Sequence, residues 1–167
     1  TTGAQNTAVG SLALDAATTA SDNTGLGYGA LSAATTGTRN IAVGNSLRTL
    51  TTANDNLAIG YDAMVASTSG IQNVAVGNYA LDANTTGGYN VGIGFNALTA
   101  STTANYNVAV GREALVANTT GASNTAIGRN AIGANTTGTA NVAVGALALD
   151  ANTTANYNAA LGVHALG

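Results

Sequence analysis

Few residues in this chain carry side chains suited to acid–base, nucleophilic or metal chemistry, and they lie far apart. The sequence has seven acidic residues, four arginines and one histidine, and it has no cysteine. His164 therefore lacks the partner that a metal site or a catalytic triad would need. Asp15, Asp82 and Asp150 share one position of a repeat but fall in distant copies, so they predict no carboxylate pair. We predict no enzymatic activity, no catalytic or metal-binding residue and no cofactor.

The composition narrows the range of partners. Charged residues make up 7% of the chain, against about 25% in an average soluble domain. The net charge is −3 and the four arginines are dispersed, which argues against nucleic acid or an anionic membrane as a partner. No apolar run approaches the roughly 18 residues of a membrane span, so we predict no direct membrane insertion in this segment.

A repeat of seventeen residues organises the whole chain. The window from Asn73 to Tyr89, NVAVGNYALDANTTGGY, recurs with small edits, and one copy, from Asn40, is a residue shorter. Repeats of this length indicate stacked coils, so residues 1–167 form a single repeat domain, which we expect to belong to a longer fibre. The coils start at Asn6, Asn23, Asn40, Asn56, Asn73, Asn90, Asn107, Asn124, Asn141 and Asn158.

The residues that follow each repeat asparagine predict a short β-strand. Counting from that asparagine, positions +1 and +3 are mostly large and aliphatic, and position +2 is always Ala or Gly. This alternation has the period of a strand, whose successive side chains point to opposite faces. We expect the large residues to face the core and the small ones to face outward.

An Ala-Leu pair at positions +7 and +8 predicts a second short strand with a second buried column. Its length, about eight residues between turns, is too short for a stable amphipathic helix. The predicted core comprises Val9, Val43, Ile59, Val76, Ile93, Val110, Ile127 and Val144 from position +3, and Leu14, Leu81, Leu98, Leu115 and Leu149 from position +8.

Turn residues separate the two predicted strands. A glycine stands at position +4 of every coil, where it either adopts a positive φ or allows another backbone to approach. An Asn-Thr-Thr-Gly segment, as in Asn84 to Gly87, closes the coil with side chains that hydrogen-bond nearby backbone. The structural turn glycines are Gly10, Gly27, Gly44, Gly60, Gly77, Gly94, Gly111, Gly128 and Gly145.

These elements predict an all-β fold, a parallel β-solenoid of about ten coils with two short strands each. The repeat asparagines are expected to bond from coil to coil as a ladder. One coil buries few large side chains relative to the residues that it orders, so we expect further burial between chains. The columns of Ala and Gly form flat strips against which other copies of the chain would pack, in a homotrimer or a fibre.

The signature N-[VIT]-A-[VI]-G-x-x-A-L, present through the whole chain, resembles the head repeats of YadA-type trimeric autotransporter adhesins. It is also similar to repeats in phage tail fibres. The resemblance implies a parallel homotrimeric β-roll, left-handed in the adhesin heads, at an extracellular cell or virion surface. The expected function is a structural and adhesive fibre segment, acting as a rigid spacer or as an adhesin head. The repeat here is longer than the usual adhesin repeat, so both settings stay open.

Two alternative functions remain from the sequence. Threonines at positions +12 and +13 form two columns of the kind that binds ice, although adjacent residues of a strand would point to opposite faces. Tyr89, Tyr106 and Tyr157, just before the repeat asparagine, are candidate glycan contacts, because surface aromatics can stack on sugars. The predicted partners are therefore the chain itself and a host-surface glycan or matrix protein.

Overall fold

The computed structural model describes residues 2–167 and shows a β-solenoid in which each coil contributes one three-residue strand. All ten strands pair in parallel in one sheet, in the order of the sequence. Residues 2–167 contain no helix. The strands are β1 Thr7–Val9, β2 Thr24–Leu26, β3 Ile41–Val43, β4 Leu57–Ile59, β5 Val74–Val76, β6 Val91–Ile93, β7 Val108–Val110, β8 Thr125–Ile127, β9 Val142–Val144 and β10 Ala159–Leu161.

Equivalent repeat positions pair throughout the sheet. Val74 lies beside Val91, and the short coil keeps this register because Ile41 pairs with Leu57. The missing residue is thus absorbed in a turn and leaves the strand ladder intact. The solenoid of parallel coils predicted from the sequence is confirmed.

The side chains of the strands face the opposite way from our prediction. The residues at position +2 of strands β2 to β9, such as Ala75 and Ala109, are buried. The aliphatic residues at position +3 lie on the outer face, where Ile59, Ile93 and Ile127 are 37%, 39% and 41% exposed. The core assignment was therefore wrong for Val9, Val43, Ile59, Val76, Ile93, Val110, Ile127 and Val144, which are exposed or half-buried.

The narrow interior of the coil explains this orientation. The leucine column at position +8 fills the space beneath the sheet, and Leu14, Leu81, Leu98, Leu115 and Leu149 are buried as predicted. A Cβ added at Gly92 would lie 3.3 Å from the Leu81 Cγ atom. The interior face of the strand therefore accepts alanine and has no room for valine. The Ala and Gly columns consequently line the coil interior and present no strip to another chain.

The segment that carries the Ala-Leu pair consists of turns where the sequence predicted a second strand. The leucines at position +8 adopt left-handed backbone conformations, with φ of 53° at Leu81 and 54° at Leu98. A left-handed residue interrupts an extended strand. The segment still bonds from coil to coil, since the Leu81 N–H donates to the Ala97 carbonyl at 3.0 Å. Stacking thus stabilises a conformation that leucine disfavours on its own.

The repeat asparagines form the predicted ladder inside the coil. The Asn90 backbone N–H and its Nδ2 atom both donate to the Asn73 Oδ1 atom, at 2.9 and 3.2 Å. The same Nδ2 atom also donates to the Ala104 carbonyl at 2.8 Å, which ties the strand to the closing turn of its own coil. Each buried amide is thereby satisfied, as burial in a low-dielectric interior requires.

The turn glycines combine both features that the sequence suggested as alternatives. From Gly10 to Gly145 their φ angles lie between 96° and 141°. An added Cβ at Gly77 would come within 2.5 Å of the Gly94 carbonyl oxygen in the next coil. Any side chain at this position would therefore meet both backbone strain and a collision with the adjacent coil.

We expect Gly77→Ala to destabilise the solenoid by at least about 2 kcal/mol, because the substitution adds backbone strain to a collision between backbones. Gly92→Ala is the matched control, since alanine occupies the same position in the coils on either side. Thermal denaturation followed by circular dichroism compares the two. Equal melting temperatures for Gly77→Ala and Gly92→Ala would show that position +4 does not require glycine.

Candidate functional site

One surface feature is the aliphatic strip, formed by the residues at positions +1 and +3 on the outer face of the sheet. Ile41, Leu57 and Val74 belong to its first column, and Ile59, Val76 and Ile93 to its second. Strands β1 to β10 place no charged residue in either column. The column at position +3 is aliphatic in all ten strands, whereas Thr7, Thr24, Thr125 and Ala159 interrupt the column at position +1. The strip is therefore an uncharged and largely apolar surface along the described solenoid.

A second surface lies at the corner after the turn glycine, and we call it the aromatic–arginine corner. It comprises Tyr61, Tyr79, Phe95, Arg112 and Arg129, which come from five consecutive coils. The Tyr79 ring packs edge-to-face against Tyr61 and Phe95, with centroid distances of 5.7 and 6.0 Å. The outer two rings stay accessible, at 52% exposure for Tyr61 and 44% for Phe95.

The two arginines continue this corner towards the C-terminus. Arg112 forms an ion pair with Glu113, at 2.8 Å between Nη2 and Oε1, and 61% of the arginine side chain remains exposed. Arg129 has no carboxylate partner among residues 2–167. A solvent-accessible pair such as Arg112–Glu113 contributes at most about 1 kcal/mol, so Arg112 can exchange this contact for an anionic ligand. Arg129 can bind the same ligand without giving up an ion pair.

The opposite corner, just before the repeat asparagine, holds the predicted glycan contacts. Tyr89 and Tyr106 come from adjacent coils and stack, with ring centroids 4.9 Å apart and planes 12° apart. Tyr157, which is 83% exposed, lies three coils beyond Tyr106. The structure thus brings two of the three tyrosines together, and each covers one face of the other's ring.

The same corner carries an ion pair nearer the N-terminus. The Arg39 Nε atom lies 2.6 Å from the Asp55 Oδ1 atom, in the next coil. The hydrogen bond from Arg39 holds the pKa of Asp55 below its ordinary value, and the same bond raises the pKa of Arg39. Both groups are accessible to solvent, so the ion pair adds little to the stability of the fold.

The threonine columns bond to the backbone. The hydroxyl at position +12 donates to the threonine carbonyl of the next coil, at 3.1 Å from Thr85 to Thr102 and 3.0 Å from Thr119 to Thr136. A hydroxyl engaged in this way has used its one donor and keeps only its acceptor lone pairs for other partners. The column at position +13, which includes Thr86 and Thr120, is exposed, and so are several threonines of the column at position +12: Thr18, Thr51, Thr68 and Thr153. The hydroxyl protons of the position +12 column are therefore committed to the coil-to-coil hydrogen bonds of the stack.

The Asn-Thr-Thr segments are structural turns. Asn84, Asn118 and Asn135 are fully buried, and the Asn84 Nδ2 atom donates to the Gly87 carbonyl at 3.0 Å. Asn135 also donates to the Asn118 Oδ1 atom at 2.8 Å, which begins a second ladder. Asn-Thr-Thr matches the sequence of an N-glycosylation acceptor, but a buried amide nitrogen cannot accept a glycan, and here the amides bond to backbone groups.

Residues 2–167 contain no group of three or more His, Cys, Asp or Glu side chains placed to hold a metal ion. A cleft of about 300 Å³ opens at the C-terminal end, between Leu149, Asn152 and Leu166. It is the interior of the last coil seen from its open side. No helix of the described chain has the length and apolar character of a membrane span.

Comparison with models of protein families, with curated proteins and with solved structures found no match.

Sequence reasoning missed the aliphatic strip, although a signal for it was present. Position +2 is never larger than alanine in ten coils, whereas position +3 varies freely among Val, Ile and Leu. A strict size limit is typical of a confined interior, and tolerance of size is typical of a surface. Position +1 also accepts threonine, as at Thr24 and Thr125, which agrees with an outer face.

Proposed function

We propose that this chain is a rod-shaped structural and adhesive segment of a fibre on a bacterial cell or virion surface, and that it assembles as a homotrimer. The observation that carries this proposal is the aliphatic strip. The largest apolar patch of an ordinary monomer covers roughly 300–600 Å². The strip has ten aliphatic residues at position +3 and six at position +1, and it extends over all ten coils. An apolar feature of this length favours burial against another protein surface.

A second copy of the same chain is the occupant that fits the strip best. Its length and periodicity equal those of an identical strip, so parallel copies bring equivalent coils side by side. The contact needs no charge complementarity, because the strip carries no charge. Obligate interfaces between identical chains are typically apolar in this way. The number three comes from the resemblance to the adhesin head repeats, which are trimeric.

The coil-to-coil bonding supports a stiff spacer. At about 4.8 Å per coil, ten coils span roughly 45–50 Å. The asparagine ladder, the strand and the closing turn each bond to both neighbouring coils, so bending the rod requires the loss of several hydrogen bonds at once. A rod with this bonding would hold a binding tip away from the surface that carries it.

The proposal predicts the mass of the assembly. Multi-angle light scattering on the purified chain is expected to give three times its 16.1 kDa mass at micromolar concentration. Small-angle X-ray scattering on the same sample is expected to show an elongated particle. A folded chain that scatters with the monomer mass would contradict the homotrimer, and a compact particle would contradict the rod.

A further inference from the structure

We propose that the aromatic–arginine corner binds a polysaccharide that carries carboxylate groups. This inference deepens the adhesive part of the function proposed above and rests on it only for its biological setting. The site extends from Tyr61 to Arg129 along one edge of the rod. It differs from the tyrosine corner that the sequence suggested, where Tyr89 and Tyr106 cover each other.

The corner is the one described surface where accessible rings and a free cation lie in line. Its rings project from successive coils and are fixed by edge-to-face packing on Tyr79. Exposed rings held in one orientation lose little entropy when a ligand packs on them. Sugar rings offer apolar C–H faces to such a platform, while their hydroxyls stay in water or bond to neighbouring amides.

The arginines indicate the charge of the ligand. Arg129 has no carboxylate partner within residues 2–167, and Arg112, whose side chain is largely exposed, is paired with the half-buried Glu113 of its own coil. A guanidinium group recognises carboxylate through two parallel hydrogen bonds, which gives geometric specificity as well as affinity. The chain as a whole has a net charge of −3, whereas Arg112 and Arg129 together with Glu113 leave one net positive charge at this corner, which would attract an anionic ligand.

The backbone of the corner argues for a glycan over an acidic peptide. Extended peptides bind by adding a strand to a sheet edge or by entering a groove. Here the backbone groups already bond between coils, as from the Tyr79 N–H to the Tyr61 carbonyl at 2.9 Å and from the Glu113 N–H to the Phe95 carbonyl at 2.9 Å. Recognition must therefore use side chains alone, in a row parallel to the rod.

The amides of the corner can serve the hydroxyls of the sugar. The Asn78 Oδ1 atom accepts from the Tyr61 backbone N–H at 3.0 Å. This bond fixes the Asn78 side chain between the coils of Tyr61 and Phe95 and leaves its Nδ2 atom to donate. The row from Tyr61 through Asn78 and Phe95 to the arginines thus alternates stacking and polar contacts.

The test is isothermal titration calorimetry of the assembled chain with oligogalacturonate, an oligosaccharide that carries one carboxylate on each sugar ring. The titration is done at low salt, where charge attraction is least screened. Saturable binding is expected, and the methyl-esterified form of the same oligosaccharide should bind at least about tenfold more weakly, because a neutral ester forms no bidentate pair with arginine. Removal of both outer rings in Tyr61→Ala/Phe95→Ala should weaken binding about tenfold, and Arg129→Gln about threefold or more.

Two matched variants control for nonspecific effects. Tyr28 occupies the same repeat position as Tyr61 but lies apart from the row, and Arg39 is an exposed arginine of the opposite corner. Tyr28→Ala and Arg39→Gln should bind like the unmodified chain. Light scattering and melting temperature establish that each variant keeps its assembly and fold.

Several results would overturn the inference. They are absence of saturable binding, equal binding of the esterified oligosaccharide, equal binding of poly-glutamate, or losses in the control variants that match those in the corner variants. If the chain is a trimeric rod but does not bind oligogalacturonate, the binding site at the aromatic–arginine corner is refuted and the spacer function is unaffected. A monomeric chain that binds through the corner would refute the homotrimer and leave the inference standing.

Discussion

Replacement of Ile93 with aspartate is expected to separate the proposed homotrimer into single chains. Ile93 lies at the middle of the aliphatic strip, at 39% exposure in the single chain. In a homotrimer the substitution would place three carboxylates in one apolar interface, at a cost of at least about 3 kcal/mol per chain. In the isolated coil the same carboxylate faces solvent and costs little.

Light scattering measures the outcome directly. The Ile93→Asp chain should lose the trimer mass at concentrations where the unmodified chain keeps it. Ile93→Leu is the matched control, because leucine occupies the same position at Leu26 and should preserve the assembly. An Ile93→Asp chain that retains the full trimer mass would show that this strip is not the interface.

Replacement of Leu98 with aspartate should have the larger effect on folding. Leu98 is fully buried beneath the sheet, in the leucine column of the coil interior. Loss of a buried leucine costs about 2–5 kcal/mol, and burial of an unpaired carboxylate adds to that cost. The total approaches the roughly 5–15 kcal/mol that stabilises an entire domain, so we expect the stack to unfold around this coil.

Thermal and urea denaturation test this expectation. Leu98→Met is the control, because Met64 occupies the same repeat position and is equally buried. That variant should lose less than about 1.5 kcal/mol, since the volume is conserved. If Leu98→Asp melted like Leu98→Met, the leucine column would not be the core.

The pair of aspartate variants separates the two faces of the chain. Ile93→Asp should act on assembly and Leu98→Asp on the coil itself. The sequence interpretation placed both columns inside and would predict unfolding for both. A folded but dissociated Ile93→Asp chain would therefore confirm that the position +3 column lies on the outer face.

Much of the architecture was predictable because it depends on spacing. Equal coil lengths bring Val74 beside Val91 whatever the shape of the coil, so a parallel solenoid in register follows from the repeat alone. The ladder from Asn73 to Asn90 follows for the same reason, since equivalent residues of stacked coils must be neighbours. The glycine at position +4 was likewise predictable, because only glycine tolerates both the φ angle and the close approach.

The orientation of the strand was not predictable from alternation alone. Alternation of Val74, Ala75 and Val76 shows that one face is large and the other small, and both orientations satisfy a period of two. The choice depends on how much room the rest of the coil leaves. Leu81 and the asparagine ladder occupy the interior, so only Ala75 fits beneath the sheet.

The turns and the surface clusters required the tertiary structure for a related reason. Leu81 and Leu98 adopt left-handed conformations against their own preference, because bonds to neighbouring coils stabilise the turn. Tyr79 meets Tyr61 and Phe95 only because that corner lets side chains at positions +5 and +6 touch across coils. The sequence by itself determined the repeat, the stacking and the register, since these depend only on chain spacing. Which columns face inward and which residues share a surface was decided by the tertiary structure, because packing in three dimensions sets the space available to each side chain.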